Sequence, residues 1–280
     1  MLVIPARAGI QRLFLNPRSH GIPGSVRDQA TNGPGTTAKV VTLRASLASS
    51  PFVPHVIRFD SVSKRYANGH AALEALSFQV PAGEMVFVTG HSGAGKSTLL
   101  KLIALIERAS GGAIEVAGCP LAKVRGGKIA RHRRGIGMVF QDHRLLMDRS
   151  VGENVALPLI IAGVPADERA RRVRAALDKV GLLAYEKQPP ATLSTGEQQR
   201  VGIARAIVAK PALIIADEPT GNLDPQLSWE IMQLFAQFRE VGTTVLIASH
   251  DLPLLKRMKQ RTLVLDHGRL VADVPAVEIA

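Results

Sequence analysis

From Val56 onward the chain breaks into short runs whose apolar spacing changes character from one run to the next. Val56–Asp60 and Leu73–Val80 alternate apolar and polar residues, the pattern of half-exposed antiparallel strands, and Asn68-Gly69 offers a turn between them. Met85–Thr89, Leu213–Ala216 and Val245–Ala248 are almost wholly apolar, as strands buried on both faces of a parallel sheet must be, and Ile136–Phe140 reads as a further strand. Helical spacing predicts helices over Thr98–Ile106, Asp167–Val180, Thr195–Ala209 and Pro225–Glu240. Strands that alternate with helices predict an α/β protein with a parallel-sheet core and an antiparallel β portion ahead of it. The strand-free stretch from about residue 142 to 209 predicts an inserted helical subdomain. No internal repeat is evident, so the pattern corresponds to one such unit per chain.

Residues 1–55 show no sustained periodicity and mix Pro, Gly, Ser and Thr, with six basic residues (Arg7, Arg12, Arg18, Arg27, Lys39, Arg44) against one acid, Asp28. That composition predicts a disordered basic extension, with a membrane-surface arm or a transit peptide as the functional alternatives. Because the folded pattern begins at Val56, a start codon placed too far upstream would produce the same segment. Residues 56–280 form the predicted folded domain.

Composition narrows the partners. The net charge of +12 calls for something anionic: nucleotide phosphate, nucleic acid or an anionic membrane face. Aromatic residues make up only 4% of the chain, which leaves little from which to build base-stacking platforms, and no nucleic-acid partner is expected. The single cysteine, Cys119, has no intrachain disulfide partner and suits a reduced compartment. The longest apolar stretch, Val155–Val164, contains Pro158 and is far shorter than the ~20 residues a spanning helix needs. A membrane role would therefore be peripheral.

Two motifs carry the chemistry. Gly90-His91-Ser92-Gly93-Ala94-Gly95-Lys96-Ser97 matches the P-loop, follows a buried strand and leads into the helix that contains Thr98. Glycines that reach positive φ let successive N–H groups point inward at a phosphate, at the positive end of the helix dipole. Lys96 would add a point charge at the β and γ phosphates, and Ser97 a hydroxyl ligand for Mg²⁺. The strand Leu213–Ala216 ends in Asp217-Glu218, at the carboxyl edge where parallel sheets bind ligands. Asp217 would hold Mg²⁺, and Glu218 would act as general base toward the attacking water. Acids after a strand are often only helix caps; it is the pairing with the P-loop that gives these two a role.

With these motifs in place the chain resembles the ATP-binding-cassette (ABC) family of RecA-like P-loop NTPases. Gln141, after the strand Ile136–Phe140, is similar to the Q-loop glutamine that senses γ-phosphate and Mg²⁺. Leu193-Ser194-Thr195-Gly196-Glu197-Gln198-Gln199-Arg200 is similar to the family signature, with Thr195 where glycine is usual. Leu223-Asp224 is similar to the D-loop, His250 to the switch histidine and Tyr66 to the aromatic that stacks on adenine. Each has a plainer reading: Ser194 with Glu197 forms a capping box, Asp224-Pro225 is an ordinary helix start, and a lone histidine or tyrosine marks nothing by itself. The resemblance implies ATP hydrolysis with Mg²⁺ in a head-to-tail homodimer, where Lys96 of one subunit and Ser194, Gly196 and Asp224 of the other enclose one nucleotide.

Within the family the likeness is strongest to a bacterial cell-division branch, through residues 90–103, 140–149, 157–163 and 196–206. It implies an integral membrane partner, a place on the cytoplasmic face of the inner membrane at the division septum, and coupling to cell-wall hydrolysis. A lipoprotein-releasing or macrolide-type exporter subunit would carry nearly the same nucleotide motifs and differ mainly around Gln141–Asp148. A soluble nucleic-acid-associated ATPase would exploit the basic runs Lys123–Arg134 and Arg169–Arg174, yet the segment from Lys96 to Ser194 lacks sustained heptads.

Overall fold

The computed structural model describes residues 55–276; the predicted amino-terminal extension lies outside the described residues except for its last residue, His55. His55 opens the first strand. β1 (His55–Arg65) and β2 (Ala71–Pro81) form an antiparallel hairpin, and the Asn68 side chain accepts the His70 N–H at 3.1 Å within the turn. β4 (Gly111–Val116) pairs with the other edge of β1, and the two-residue β5 (Cys119–Pro120) completes a four-stranded sheet in the order β2-β1-β4-β5.

The second sheet has the order β10-β9-β3-β8-β7-β6. Its inner strands β9 (Arg261–Asp266), β3 (Met85–Thr89), β8 (Thr244–Ala248) and β7 (Leu213–Asp217) run parallel, as does β6 (Ile136–Val139) at one edge, while β10 (Arg269–Val274) returns antiparallel along the other. The uninterrupted apolar runs have their reason here. Met85 and Phe87 of β3 enter one apolar cluster and Val86 and Val88 the other; Val245 and Ile247 of β8 are likewise opposed to Leu246 and Ala248. A strand with both faces buried cannot afford an alternating polar residue.

Helices fill the connections: α1 (Lys96–Ile103), α2 (Gly127–Arg134), α3 (Val151–Ile161), α4 (Ala166–Lys179), α5 (Thr195–Ile207), α6 (Pro225–Glu240) and α7 (Leu252–Met258). Between β6 and β7 the described chain is helix and turn only, with α3, α4 and α5 packed on one another. The helices expected from periodicity appear with ends shifted by a few residues, α6 with no shift. No helix of the described residues is long and apolar enough to cross a membrane.

α2, α3 and α7 lie outside the helices that periodicity predicts; α7, with seven residues, is too short for a sustained stripe. α3 is apolar almost all round, so it shows no helical stripe, and Pro158 lies inside it. The available signal was Ser150 with Glu153: the Ser150 hydroxyl accepts the Glu153 N–H and the Glu153 carboxylate accepts the Ser150 N–H, a complete capping box. α2 fully buries no side chain and sets only Ile129, half-buried, against the core, so it carries no apolar stripe to read; its Arg133 donates to the carbonyls of Ala104 and Leu105 beyond the end of α1.

The seating of β6 against α5 fixes two site segments at once, since Gln141 follows β6 and Ser194 precedes α5. Gly137 makes this possible: a Cβ there would stand 2.6 Å from the Ala206 carbonyl oxygen and 3.0 Å from Pro211. Neither is the free end of a flexible chain. Gly137→Ala is expected to destabilise the fold by about 1–3 kcal/mol, the usual cost of overpacking, seen as a lower urea midpoint at an unchanged slope.

Candidate functional site

The P-loop leaves β3 and enters α1 through three positive-φ glycines, Gly90 (152°), Gly93 (81°) and Gly95 (104°). Two of them also meet neighbouring backbone closely. A Cβ at Gly90 would lie 2.2 Å from the Leu265 carbonyl oxygen, and one at Gly95 2.7 Å from that of Ala72. Ala94 N–H donates to the His91 carbonyl at 3.1 Å, which closes the loop on itself. The exposed imidazole of His91 is turned to Asp266, 3.1 Å away. Ser92 is exposed at the crest.

Lys96 is the first residue of α1, and its ammonium is folded back over the loop. Nζ donates to the carbonyls of Gly90 at 2.8 Å and His91 at 3.1 Å and stands 3.9 Å from Glu218. Ser97 donates its hydroxyl to Asp217 at 3.1 Å. Thr98 shares a 3.2 Å hydrogen bond with the Tyr66 hydroxyl, and the Lys64 ammonium lies 4.8 Å from the centre of the Tyr66 ring.

At the end of β7, burial pushes the Asp217 carboxyl above its ordinary range; the Ser97 hydroxyl opposes that shift and the neighbouring Glu218 charge adds to it. A partly desolvated carboxylate beside a hydroxyl, next to a second acid, is a donor set suited to a hard divalent cation, so the residues fit Mg²⁺. Glu218 takes a left-handed backbone (φ 47°) while its N–H is held by the Ala248 carbonyl at 2.9 Å. Its carboxylate meets His250 twice, Oε1 at 2.9 Å from Nδ1 and Oε2 accepting the His250 N–H at 3.3 Å. A carboxylate only accepts, so Nδ1 carries the proton. Lys96, Glu218 and His250 thus form one chain of contacts and Ser97 with Asp217 a second, set side by side because Lys96-Ser97 and Asp217-Glu218 are adjacent in the chain.

Gln141 is exposed, and its amide lies beside Gly221 in the turn after Glu218: a Cβ on Gly221 would be 3.5 Å from Gln141 Nε2. Two residues beyond it the structure shows a device that sequence reasoning missed. The buried His143 ring spans the carbonyls of Gln141 and Thr195, each at 3.1 Å, and Arg205 of α5 donates to the carbonyls of His143 and Arg144, each at 2.6 Å. The segment after β6 is thereby tied to both ends of α5, through Thr195 in its first turn and Arg205 in its last. The partners in α5 are 52 to 62 positions away, so no local pattern announces them.

Ser194, Gly196 and Asp224 form a separate group. Ser194 and Glu197 make the capping box at the start of α5, and the two Ser194 hydrogen bonds hold the Glu197 carboxyl below its ordinary range. Asp224 caps α6 by accepting the N–H groups of Gln226 and Leu227. Gly196 lets the two helix starts meet, since a Cβ there would stand 2.1 Å from a Leu227 methyl carbon. No hydrogen bond or ion pair among the described residues joins Ser194, Gly196 or Asp224 directly to Lys96, Ser97, Asp217 or Glu218.

Ser194→Ala should cost about 1 kcal/mol of stability at neutral pH, the usual value of an N-cap. The Glu197 carboxyl has a folded pKa below its unfolded value of 4.5, so its stabilisation is present above that pH and is lost as pH falls through the folded value. Urea unfolding of both proteins at pH 7 and near pH 3 is therefore expected to show a gap that narrows in acid. An equal gap at both pH values would mean that the Ser194–Glu197 pairing contributes nothing.

A P-loop opposite a strand-end acid pair, with helical insert and antiparallel sheet, defines a nucleotide-hydrolysing cassette. The profile of the ABC transporter family matches residues 73–221, and the chain belongs to that family and is an ATPase of the ABC class. It is 57% identical over 219 residues to the cell division ATP-binding protein FtsE of Escherichia coli K12, covering 78% of this chain and 99% of that protein. The FtsE of Haemophilus influenzae is 51% identical over 216 residues, covering 77% and 99%. Among solved structures, the dimeric ATP-binding cassette MJ0796 in a post-hydrolysis state bound to ADP and Pi superposes with a TM-score of 0.73 at 31% identity, covering 80% of this chain and all of that one.

Proposed function

We propose that this chain is the MgATP-hydrolysing subunit of a cell-division complex of the FtsE–FtsX type. It would work as a homodimer, peripherally at the cytoplasmic face of the inner membrane at the septum, and convey ATP-driven closure to an FtsX-like membrane partner and onward to septal wall hydrolysis. The observation that carries the reading is the 57% identity to FtsE across 78% of the chain.

In this reading the P-loop N–H groups and Lys96 hold the phosphates, Tyr66 the adenine, and Ser97, Asp217 and Gln141 the metal. Bound Mg²⁺ would supply charge neutralisation across the β and γ oxygens. Glu218 takes the proton of the attacking water, and His250 orients that carboxylate through its Nδ1–H and backbone N–H. The mate's Ser194, Gly196 and Asp224 complete the site, in keeping with their separation from Lys96 within one chain. The exposed apolar side chains Leu146, Met147, Ile160 and Ile161 follow Gln141 or end α3 and offer apolar contacts to a membrane partner. The His143–Arg205 ties would carry motion of that segment into α5.

Co-expression with an FtsX-like four-helix membrane protein and detergent pull-down tests this. The expected result is a stable complex that Met147→Asp, placing a charge at the apolar contact, weakens at least tenfold while ATPase activity of the isolated chain is kept. Capture of an exporter permease in preference to the FtsX-like protein would overturn the cell-division assignment and leave the ATPase assignment standing.

A further inference from the structure

Behind the phosphate loop, three metal-ligating side chains converge that the nucleotide chemistry does not use: His91, Asp266 at the end of β9, and His267 in the β9–β10 turn. Their ligand atoms all lie within 4.8 Å of one another. Asp266 Oδ1 is 3.1 Å from His91 Nε2 and 3.7 Å from His267 Nε2, and the two imidazole centres are 4.7 Å apart.

The backbone holds this cluster together. The β9–β10 turn packs against the P-loop, with Gly268 N–H donating to the Ala94 carbonyl at 3.2 Å and Gly90 lying tight against Leu265. The loop and the turn therefore keep the three Cα positions close, and only side-chain rotation is left to change the ligand distances.

The tautomer of His91 gives the cluster its chemistry. Nδ1 lies 2.5 Å from the Ser92 carbonyl oxygen, which can only accept, so Nδ1 carries a proton. The other nitrogen, Nε2, then faces the Asp266 carboxylate at 3.1 Å with a lone pair unless a second proton or a cation lies between them. An imidazole whose far nitrogen donates to a carbonyl while the near one faces a carboxylate has the arrangement of a metal-ligating histidine and its outer partner.

The spacing agrees. Ligands ~2.0–2.1 Å from a tetrahedral zinc ion stand about 3.3 Å from one another, and the two distances to Asp266 bracket that value. The wider His91–His267 separation closes by rotation of His267, whose side chain is 80% exposed. Two imidazoles and one carboxylate select zinc and its late first-row neighbours over Mg²⁺, which prefers oxygen ligands.

We propose that His91, Asp266 and His267 form a binding site for a divalent transition-metal ion of the zinc type, which staples the P-loop to the β9–β10 turn. Water would complete the coordination, since all three groups reach solvent. The site shares no ligand with the Ser97–Asp217 pair and does not depend on the cell-division reading.

Isothermal titration of the full, nucleotide- and magnesium-free chain with zinc chloride tests it, alongside the variants Asp266→Asn, His267→Asn and Asp217→Asn. Asparagine is chosen at 267 because it tolerates the positive φ found there (45°). The expected result is a one-equivalent binding event in the parent, weakened about tenfold or more in Asp266→Asn and His267→Asn and unchanged in Asp217→Asn. Zinc-edge X-ray absorption should show two imidazole ligands. If the triad is only a histidine–carboxylate ion pair, no saturable event near one equivalent appears, and the proposal fails. It fails equally if binding survives both triad variants, or if Asp217→Asn abolishes it, because the metal would then sit elsewhere.

Discussion

Glu218→Gln is expected to lower ATP turnover by about 10²-fold or more while nucleotide binding is kept, the scale on which a positioned base contributes. Glutamine preserves the side chain's length and its ability to accept the His250 N–H, now 3.3 Å from Oε2, but it cannot take a proton from water. The residue is also held with little freedom to be replaced by a neighbour: a left-handed backbone, an N–H locked on Ala248, and a carboxylate gripped by His250 with Lys96 at 3.9 Å. Since hydrolysis would open the dimer, the variant should accumulate as an ATP-bound dimer on size exclusion, and Ser194→Arg in the same background should return it to monomer. Turnover at the parental rate would exclude Glu218 as the base. A variant that remains monomeric in saturating MgATP would exclude the shared-site geometry instead.

Lys96→Ala should weaken ATP binding by about 10²-fold or more, because two or more charge-assisted contacts disappear and each is worth about 1.5–3 kcal/mol. Lys96 is only 8% exposed, and its ammonium bonds to the carbonyls of Gly90 and His91, so its removal also takes the ammonium donor from both and leaves the His91 carbonyl with the Ala94 N–H. The neutral N–H groups of the loop remain but cannot balance the β and γ phosphate charge by themselves. Fluorescent-nucleotide titration reads the affinity, and a thermal melt without nucleotide separates loss of the ligand contact from loss of the loop. Parental affinity with an intact melt would remove Lys96 from the site.

Much of this protein is legible locally. The buried strands β3, β7 and β8 declare themselves because both their faces must be apolar, and α4, α5 and α6 because one face must be. The P-loop is legible because its glycines, lysine and serine are adjacent, and the capping box at Ser194 because its two partners are three residues apart. α3 escaped because a helix apolar on nearly every side has no stripe, and α2 because a single packed apolar side chain, Ile129, makes none either.

What the linear order of residues determined by itself is therefore the class of element at each buried stretch and the identity of the phosphate loop, since both follow from neighbours within one or two turns of chain. Only the tertiary structure decided that Lys96 spans from its own loop toward Glu218, that Ser97 reaches Asp217 across 120 positions, and that His250 holds Glu218. It also decided the two ties from α5 to the segment after β6, and the meeting of His91 with Asp266 and His267. The physical reason is the same each time. A parallel sheet brings the ends of strands that are distant in sequence to one edge, and a side chain's partner there is set by strand order, which no local pattern encodes.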